Sequence, residues 1–146
     1  MAFSNTIDSE LGLICFVVTG YITFKRLLEL EKVTFNDPAR RPNMKIIADL
    51  RRASIDVDLD SIKGMLSRNR ELNQTGWELE KTVVLTHSKS LVTLAEAYEL
   101  MGGSLPLKLK VCKTLDEAIT WLELGGDKER VHAIHQRLMD EVTANP

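Results

Sequence analysis

The feature that most constrains the fold is a regular alternation of short apolar runs and longer segments with helical spacing. The apolar runs cover residues 11–19, 44–50, 81–87 and 107–113. Each run has the aliphatic and β-branched character of a buried strand, and apolar residues recur every three or four positions in the segment that follows it. Strand and helix thus alternate four times, which predicts one α/β domain with a mostly parallel sheet of four or five strands covered by helices.

Local signals predict where several elements begin. Residues 3–8 are expected to add a short edge strand ahead of the first main strand. Thr23 is a predicted N-cap, and Thr114 with Glu117 has the spacing of a capping box. Either Asp60 or Ser61 is expected to cap the helix after the second main strand.

The last helix is predicted to be an addition to the sheet domain. We place a sheet domain at residues 1–124 and a C-terminal helical extension at 125–146. The extension has a narrow apolar stripe that includes Val131, Ile134 and Leu138. Such a stripe either covers the parent sheet or packs against a second subunit, and the second alternative predicts a homodimer through these three residues.

Composition and charge exclude several classes of protein. The chain has 19 Lys and Arg against 21 Asp and Glu, a net charge of −2, which argues against a nucleic-acid-binding protein. No apolar run approaches the roughly 20 residues of a membrane span, and no secretory signal is recognisable, so a cytoplasmic location is expected. Cys15 and Cys112 lie in apolar runs and are predicted to be buried, reduced thiols.

Three segments have a wording that is shared with a known family: "DLR" at 49–51, "VVLTHSKSLVTLAEAYE" at 83–99 and "LKVCKTLDEAITWL" at 109–122. They resemble the SpoIIAA-like proteins, which are relatives in fold of the STAS domains of anti-sigma-factor antagonists. The resemblance implies a bacterial protein with a small sheet of four or five strands, an edge strand from the N-terminus and packed helices. It also implies a function in binding partner proteins, which some relatives switch by phosphorylation of a serine.

The same resemblance suggests candidate phosphorylation sites. STAS antagonists carry Asp-Ser-Ser-Gly at a helix start after a strand, and the nearest text here is "DSIKG" at 60–64. The Asp-Ser pair is present, Ile62 replaces the second serine and the glycine comes one residue late. Ser61 and Ser54 are therefore the candidate phospho-switch residues.

A polar, mostly cationic rim is predicted at the carboxyl ends of the strands, where open α/β sheets bind ligands. Its candidate residues for holding an anion are Asp49, Arg51, Arg52, His87, Ser88 and Ser90. Helix N-termini point to the same edge and attract anions. Capping serines and solvated charges are the alternative explanation of the same residues.

Motifs for catalysis, metals and nucleotides are missing from the sequence. His87 and Ser88 lack a Gly-x-Ser-x-Gly elbow, and the aspartates at 56, 58 and 60 lack the glycine and glutamate of a calcium loop. His132 and His135 are expected to be exposed helical histidines. No Gly-x-Gly-x-x-Gly or Walker loop is present, so no metal and no cofactor is predicted.

Three functions remain open from the sequence. The leading hypothesis is a non-enzymatic regulatory module that binds a protein partner. The first alternative is a small-molecule or lipid carrier, with an apolar pocket between sheet and helices lined by residues such as Leu66, Leu94 and Tyr98. The second is an enzyme in which Asp49, Arg51 and His87 converge on one cleft.

Overall fold

A computed structural model describes residues 1–74, 81–101 and 108–144, and within them the core is a five-stranded sheet. The strands are β1 (Ala2–Asp8), β2 (Leu13–Thr23), β3 (Lys45–Asp56), β4 (Lys81–Leu85) and β5 (Lys108–Cys112). They lie side by side in chain order, with β1 antiparallel to β2 and all other neighbours parallel. The predicted α/β architecture with an N-terminal edge strand is confirmed.

Helices cover both faces of this sheet. They are α1 (Phe24–Phe35), α2 (Leu59–Gln74), α3 (Lys89–Met101), α4 (Leu115–Trp121) and α5 (Lys128–Ala144), with a short 3₁₀ turn at Gly125–Asp127 before α5. One apolar layer joins the sheet to α1 and α3 through Leu30 and Leu91. The other joins it to α4 and α5 through residues such as Ile119 and Leu138.

Side-chain caps fix the starts of several helices. Thr23 accepts a hydrogen bond from the backbone N–H of Arg26, and Thr114 accepts one from Glu117, as predicted. The cap of α2 was predicted wrongly, because Asp58, not Asp60 or Ser61, holds that position. Its carboxylate accepts from both the backbone N–H and the hydroxyl of Ser61, at 2.7 and 2.8 Å.

Strands β2 and β3 remain paired beyond the rest of the sheet. The β1 pairing ends at Ala2↔Thr19 and the β4 pairing at Asp49↔Leu85, whereas β2 and β3 pair as far as Thr23↔Asp56. We call residues 19–23 with residues 52–56 the ribbon. The apolar run that predicted this strand ends at residue 50, and the structure continues β3 to Asp56.

A β-bulge in β3 changes the direction of the side chains at the start of the ribbon. Val17 pairs with Asp49 and Thr19 with Arg52, so three steps along β3 match two along β2. Before the bulge, even-numbered β3 residues such as Leu50 face α1 and α3; after it, the odd-numbered Ala53 and Ile55 do. Asp49 and Arg52 therefore both point to the α5 side of the sheet.

Helix α5 packs on the chain's own sheet, against β1 and β2. Val131 and Leu138 are fully buried in the layer that contains Leu13 and Cys15, and Ile134 is partly buried against it. The stripe is therefore core, and a homodimer through Val131 and Leu138 is wrong because neither side chain is accessible. A division of the chain at residue 124 stays a prediction.

Among the described residues, no helix combines the length and the apolar character that crossing a bilayer requires.

Replacing Leu138 with alanine tests the placement of α5. We expect Leu138→Ala to lower the free energy of unfolding by about 2–5 kcal/mol, because it leaves a cavity in a closed core. Ile134→Ala, at a partly buried position of the same stripe, should lower the free energy of unfolding by a smaller amount. Urea denaturation at several protein concentrations measures both, and a loss for Leu138→Ala that varies with concentration would contradict the intramolecular packing.

Candidate functional site

An open cleft of about 630 Å³ lies where the middle of β3, the turn after β4 and the C-terminal half of α5 meet. Its lining residues are Asp49, Arg51, Arg52, His87, His135, Gln136, Met139, Asp140 and Thr143. Four of the rim residues predicted from the sequence thus come together in one place. The five residues from α5 were not predicted to be there.

Asp49 forms the floor of the cleft. It is 3% exposed, and it accepts two hydrogen bonds from the guanidinium of Arg51: Nε to Oδ1 at 3.0 Å and Nη2 to Oδ2 at 2.8 Å. The backbone N–H of Arg51 donates to Oδ1 as well, at 3.1 Å. This fork-to-fork contact holds the Arg51 side chain in one orientation.

His135 connects this carboxylate to α5. Its Nε2 lies 2.7 Å from Asp49 Oδ2, and the residue is 9% exposed. Because an ionised carboxylate only accepts, Nε2 carries the hydrogen of this contact. The expectation that His135 is an exposed helical histidine was therefore wrong.

The surroundings of Asp49 favour its charged form. Burial acts to raise the pKa of this carboxyl, but hydrogen bonds from His135 and from Arg51 outweigh burial and hold the pKa well below its usual range. The thiol of Cys15 lies close by in the core. Burial first, and the charge of Asp49 second, raise the pKa of Cys15 to about 12, so this thiol stays protonated and unreactive at neutral pH.

Two polar side chains in the cleft, the cationic Arg52 and the imidazole of His87, have no partner among the described residues. Arg52 and His87 are exposed and form no hydrogen bond or ion pair with that part of the chain. Across from them, the exposed Asp140 accepts a hydrogen bond from Gln136 at 2.9 Å. The β-sheet wall of the cleft is therefore cationic and the α5 wall carries an acid.

The predicted serines lie outside this cleft. Ser88 accepts a hydrogen bond from the backbone N–H of Leu91 at 3.4 Å at the start of α3, and Ser90 is exposed on the first turn of that helix. Ser54 is exposed on the ribbon, whereas Ser61 is half-buried and its hydroxyl donates to Asp58. The site thus divides into a charged cleft and an outer ribbon face.

The cleft contains some of the residue types that enzymes use for catalysis. Asp49, Arg51 and His87 do line one cleft, and an aspartate that orients a histidine is a feature of catalytic triads. Yet both oxygens of Asp49 are occupied by donors, which leaves it a poor general base. In the described part of the chain, no hydroxyl or thiol hydrogen bonds to His135, and no three His, Cys, Asp or Glu residues cluster as metal ligands do.

The residues proposed for an apolar carrier pocket lie elsewhere. Leu66 is buried and Leu94 packs partly buried against the α1 and α3 layer, and neither lines this cleft. The side chain of Tyr98 lies outside the described residues. A carrier function stays a prediction.

Comparison with known proteins finds a solved structure of similar fold. No protein-family model and no curated protein matches the sequence. A crystal structure of an uncharacterised protein of the DUF3478 family from Shewanella loihica PV-4, described as having a SpoIIAA-like fold, matches with a TM-score of 0.51 and 13% identity. The match covers 83% of this chain and 94% of that one. The chain has a SpoIIAA-like fold. At 13% identity, this match shows similarity of fold alone.

The pKa of Asp49 predicts a pH dependence of stability. The group is ionised in the folded protein at pH values where the unfolded chain, with a pKa of about 3.8, binds a proton. The contribution of Asp49 to the free energy of unfolding is therefore complete above about pH 5. It is lost as the pH falls through 3.8 towards the folded-state pKa. Asp49→Asn should lower the free energy of unfolding by about 2 kcal/mol or more at pH 7, since it weakens the hydrogen bonds to His135 and Arg51.

Denaturation of the wild type and Asp49→Asn at several pH values measures this effect. The difference in unfolding free energy should be constant above about pH 5 and should shrink below about pH 4. Asp140→Asn, at an exposed position of the same cleft, is the control and should show a small difference throughout. A difference for Asp49→Asn that does not change with pH would show that its ionisation is not linked to folding.

Proposed function

We propose that this protein is a non-enzymatic regulatory module that binds a protein partner through the outward face of the ribbon. This is the face that carries Tyr21, Arg52, Ser54 and Asp56. The observation that carries the proposal is the position of Tyr21, which is 62% exposed on a pair of strands that projects beyond the sheet. Large exposed aromatic side chains on a fixed backbone are frequent anchors of protein interfaces, because they bury much area at a small cost in conformational entropy.

Three polar side chains and one methionine surround Tyr21. In the pairing of β2 with β3, Tyr21 stands opposite Ser54, and Arg52 and Asp56 follow on the same face two residues to either side. The hydroxyl of Tyr21 donates to Asp56 at 3.1 Å, which orients the ring across the ribbon. Met1, 52% exposed, lies beside Gly20 at the edge of this face.

These side chains define the chemistry of the partner. Arg52 has no counter-ion among the described residues, so the partner is expected to present an acidic group to it. The exposed ring of Tyr21 requires an apolar pocket next to that acid. We propose a folded, cytoplasmic protein with this combination as the occupant of the ribbon face.

Ser54 is the better of the two candidate switch residues in this proposal. It lies at the centre of the face, exposed, whereas the hydroxyl of Ser61 is engaged by Asp58. A phosphate on Ser54 would place nearly two negative charges between Arg52 and Tyr21. It would neutralise the cation that the partner's acid needs, and binding would be lost.

Affinity capture with matched variants tests the proposal. The wild type should retain a protein that Tyr21→Ala and Ser54→Glu lose, while Ser54→Ala retains it. Val33→Ala is the control, since Val33 is 64% exposed on α1, away from the ribbon. With the purified partner, Tyr21→Ala should weaken binding by about tenfold or more. Equal binding by wild type and Tyr21→Ala would contradict a ribbon interface.

A further inference from the structure

The bulge places two consecutive arginines in the same cleft. Neighbouring residues of a regular strand point to opposite faces, yet Arg51 and Arg52 both line this cavity. The extra residue in β3 is the reason, because Arg52 pairs with Thr19 on the α5 side while Arg51 bonds to Asp49. Two guanidinium groups thus flank one opening, with the imidazole of His87 beside them.

Asp49 leaves Arg51 able to bind a ligand. A guanidinium has five N–H donors, and Asp49 takes the one on Nε and one of those on Nη2. The Arg51 side chain is 26% exposed, so its outer edge is accessible from the cleft. Because the side chain is already held in one orientation, a ligand would not bear the entropy cost of ordering it.

The opposite wall gives the cleft a polarity. Asp140 repels the negative end of a ligand and accepts hydrogen bonds from a hydroxyl or amino group. A ligand that satisfies both walls has an anionic group at one end and hydrogen-bond donors at the other. The volume of about 630 Å³ suits a ligand larger than a bare inorganic anion.

We propose that this cleft binds a phosphate monoester whose carbon skeleton carries hydroxyl or amino donors. The phosphoryl oxygens contact the free edge of Arg51, the guanidinium of Arg52 and the ring of His87, and the donors of the skeleton face Asp140. A phosphate fits better than a carboxylate, because its three terminal oxygens can accept from three separate donors, whereas one arginine satisfies a carboxylate.

This inference does not depend on a protein partner at the ribbon. The phosphate group has two sources with the same chemistry: a small free metabolite or a phosphorylated side chain of another protein. Tyr21→Ala and Asp140→Asn separate the two proposals, since Tyr21 does not line the cleft and Asp140 is not on the ribbon. Arg52 belongs to both surfaces, so Arg52→Gln is used only to measure binding of the phosphorylated probes.

Calorimetric titration of the full chain tests the inference. The probes are glycerol phosphate and ribose 5-phosphate, glycerol and ribose as their unphosphorylated counterparts, inorganic phosphate, and a short peptide with phosphoserine or with serine. At least one phosphorylated probe should bind with one site per chain, and its unphosphorylated counterpart should not. Binding of the sugar and glycerol phosphates identifies a free metabolite, and binding of the phosphopeptide alone identifies a protein-borne phosphate.

Variants assign the binding to the cleft. Arg52→Gln should weaken binding of the phosphorylated probe by about tenfold or more, because a charge-assisted hydrogen bond is lost, and it leaves the bonds of Asp49 intact. Asp140→Asn should strengthen binding of inorganic phosphate. Arg26→Gln, on the exposed face of α1, and Tyr21→Ala should bind as the wild type does. No binding of any phosphorylated probe, or equal binding by wild type and Arg52→Gln, would overturn the inference.

Discussion

The structure of the site depends on the burial of one charge, the carboxylate of Asp49. Burial of a carboxylate away from water costs free energy unless hydrogen-bond donors surround it. Here Arg51 and His135 supply those donors. These bonds have two structural consequences. They tie the middle of α5 to the middle of β3, and they hold the guanidinium of Arg51 at the floor of the cleft. Because both oxygens of Asp49 accept hydrogen bonds from these donors, this carboxylate is a poor general base.

The β-bulge after Asp49 determines what surrounds that carboxylate. Without the extra residue, Arg52 would face the layer of α1 and α3, and Ala53 would face α5. With it, Arg52 joins Arg51 at the cleft, and Ala53 and Ile55 return to the apolar layer. The same shift turns Ser54 outward beside Tyr21. One irregularity in a strand thus creates both the cationic wall and the outer face of the ribbon.

Much of this fold could be predicted from the sequence, but only half of the cleft. The strands, the caps at Thr23 and Thr114 and four rim residues follow from local patterns. The α5 half does not, because the contact of His135 with Asp49 joins residues 86 positions apart. One signal was available: His135 completes the spacing of Val131, Leu138 and Val142, the buried residues of α5. A histidine in such a stripe needs a buried partner. The bulge has no comparable signature in "DLRRAS", since its register depends on the pairing with β2.

A double-mutant cycle between Asp49 and His135 tests whether this contact joins α5 to the sheet. The free energy of unfolding is measured at pH 7 for the wild type, Asp49→Asn, His135→Gln and the double variant. If the contact is formed, the double variant should lose less than the sum of the single losses, with a coupling of about 1–3 kcal/mol. Additive losses, with a coupling near zero, would show that Asp49 and His135 do not interact in the folded protein and that α5 is held to the sheet by other contacts.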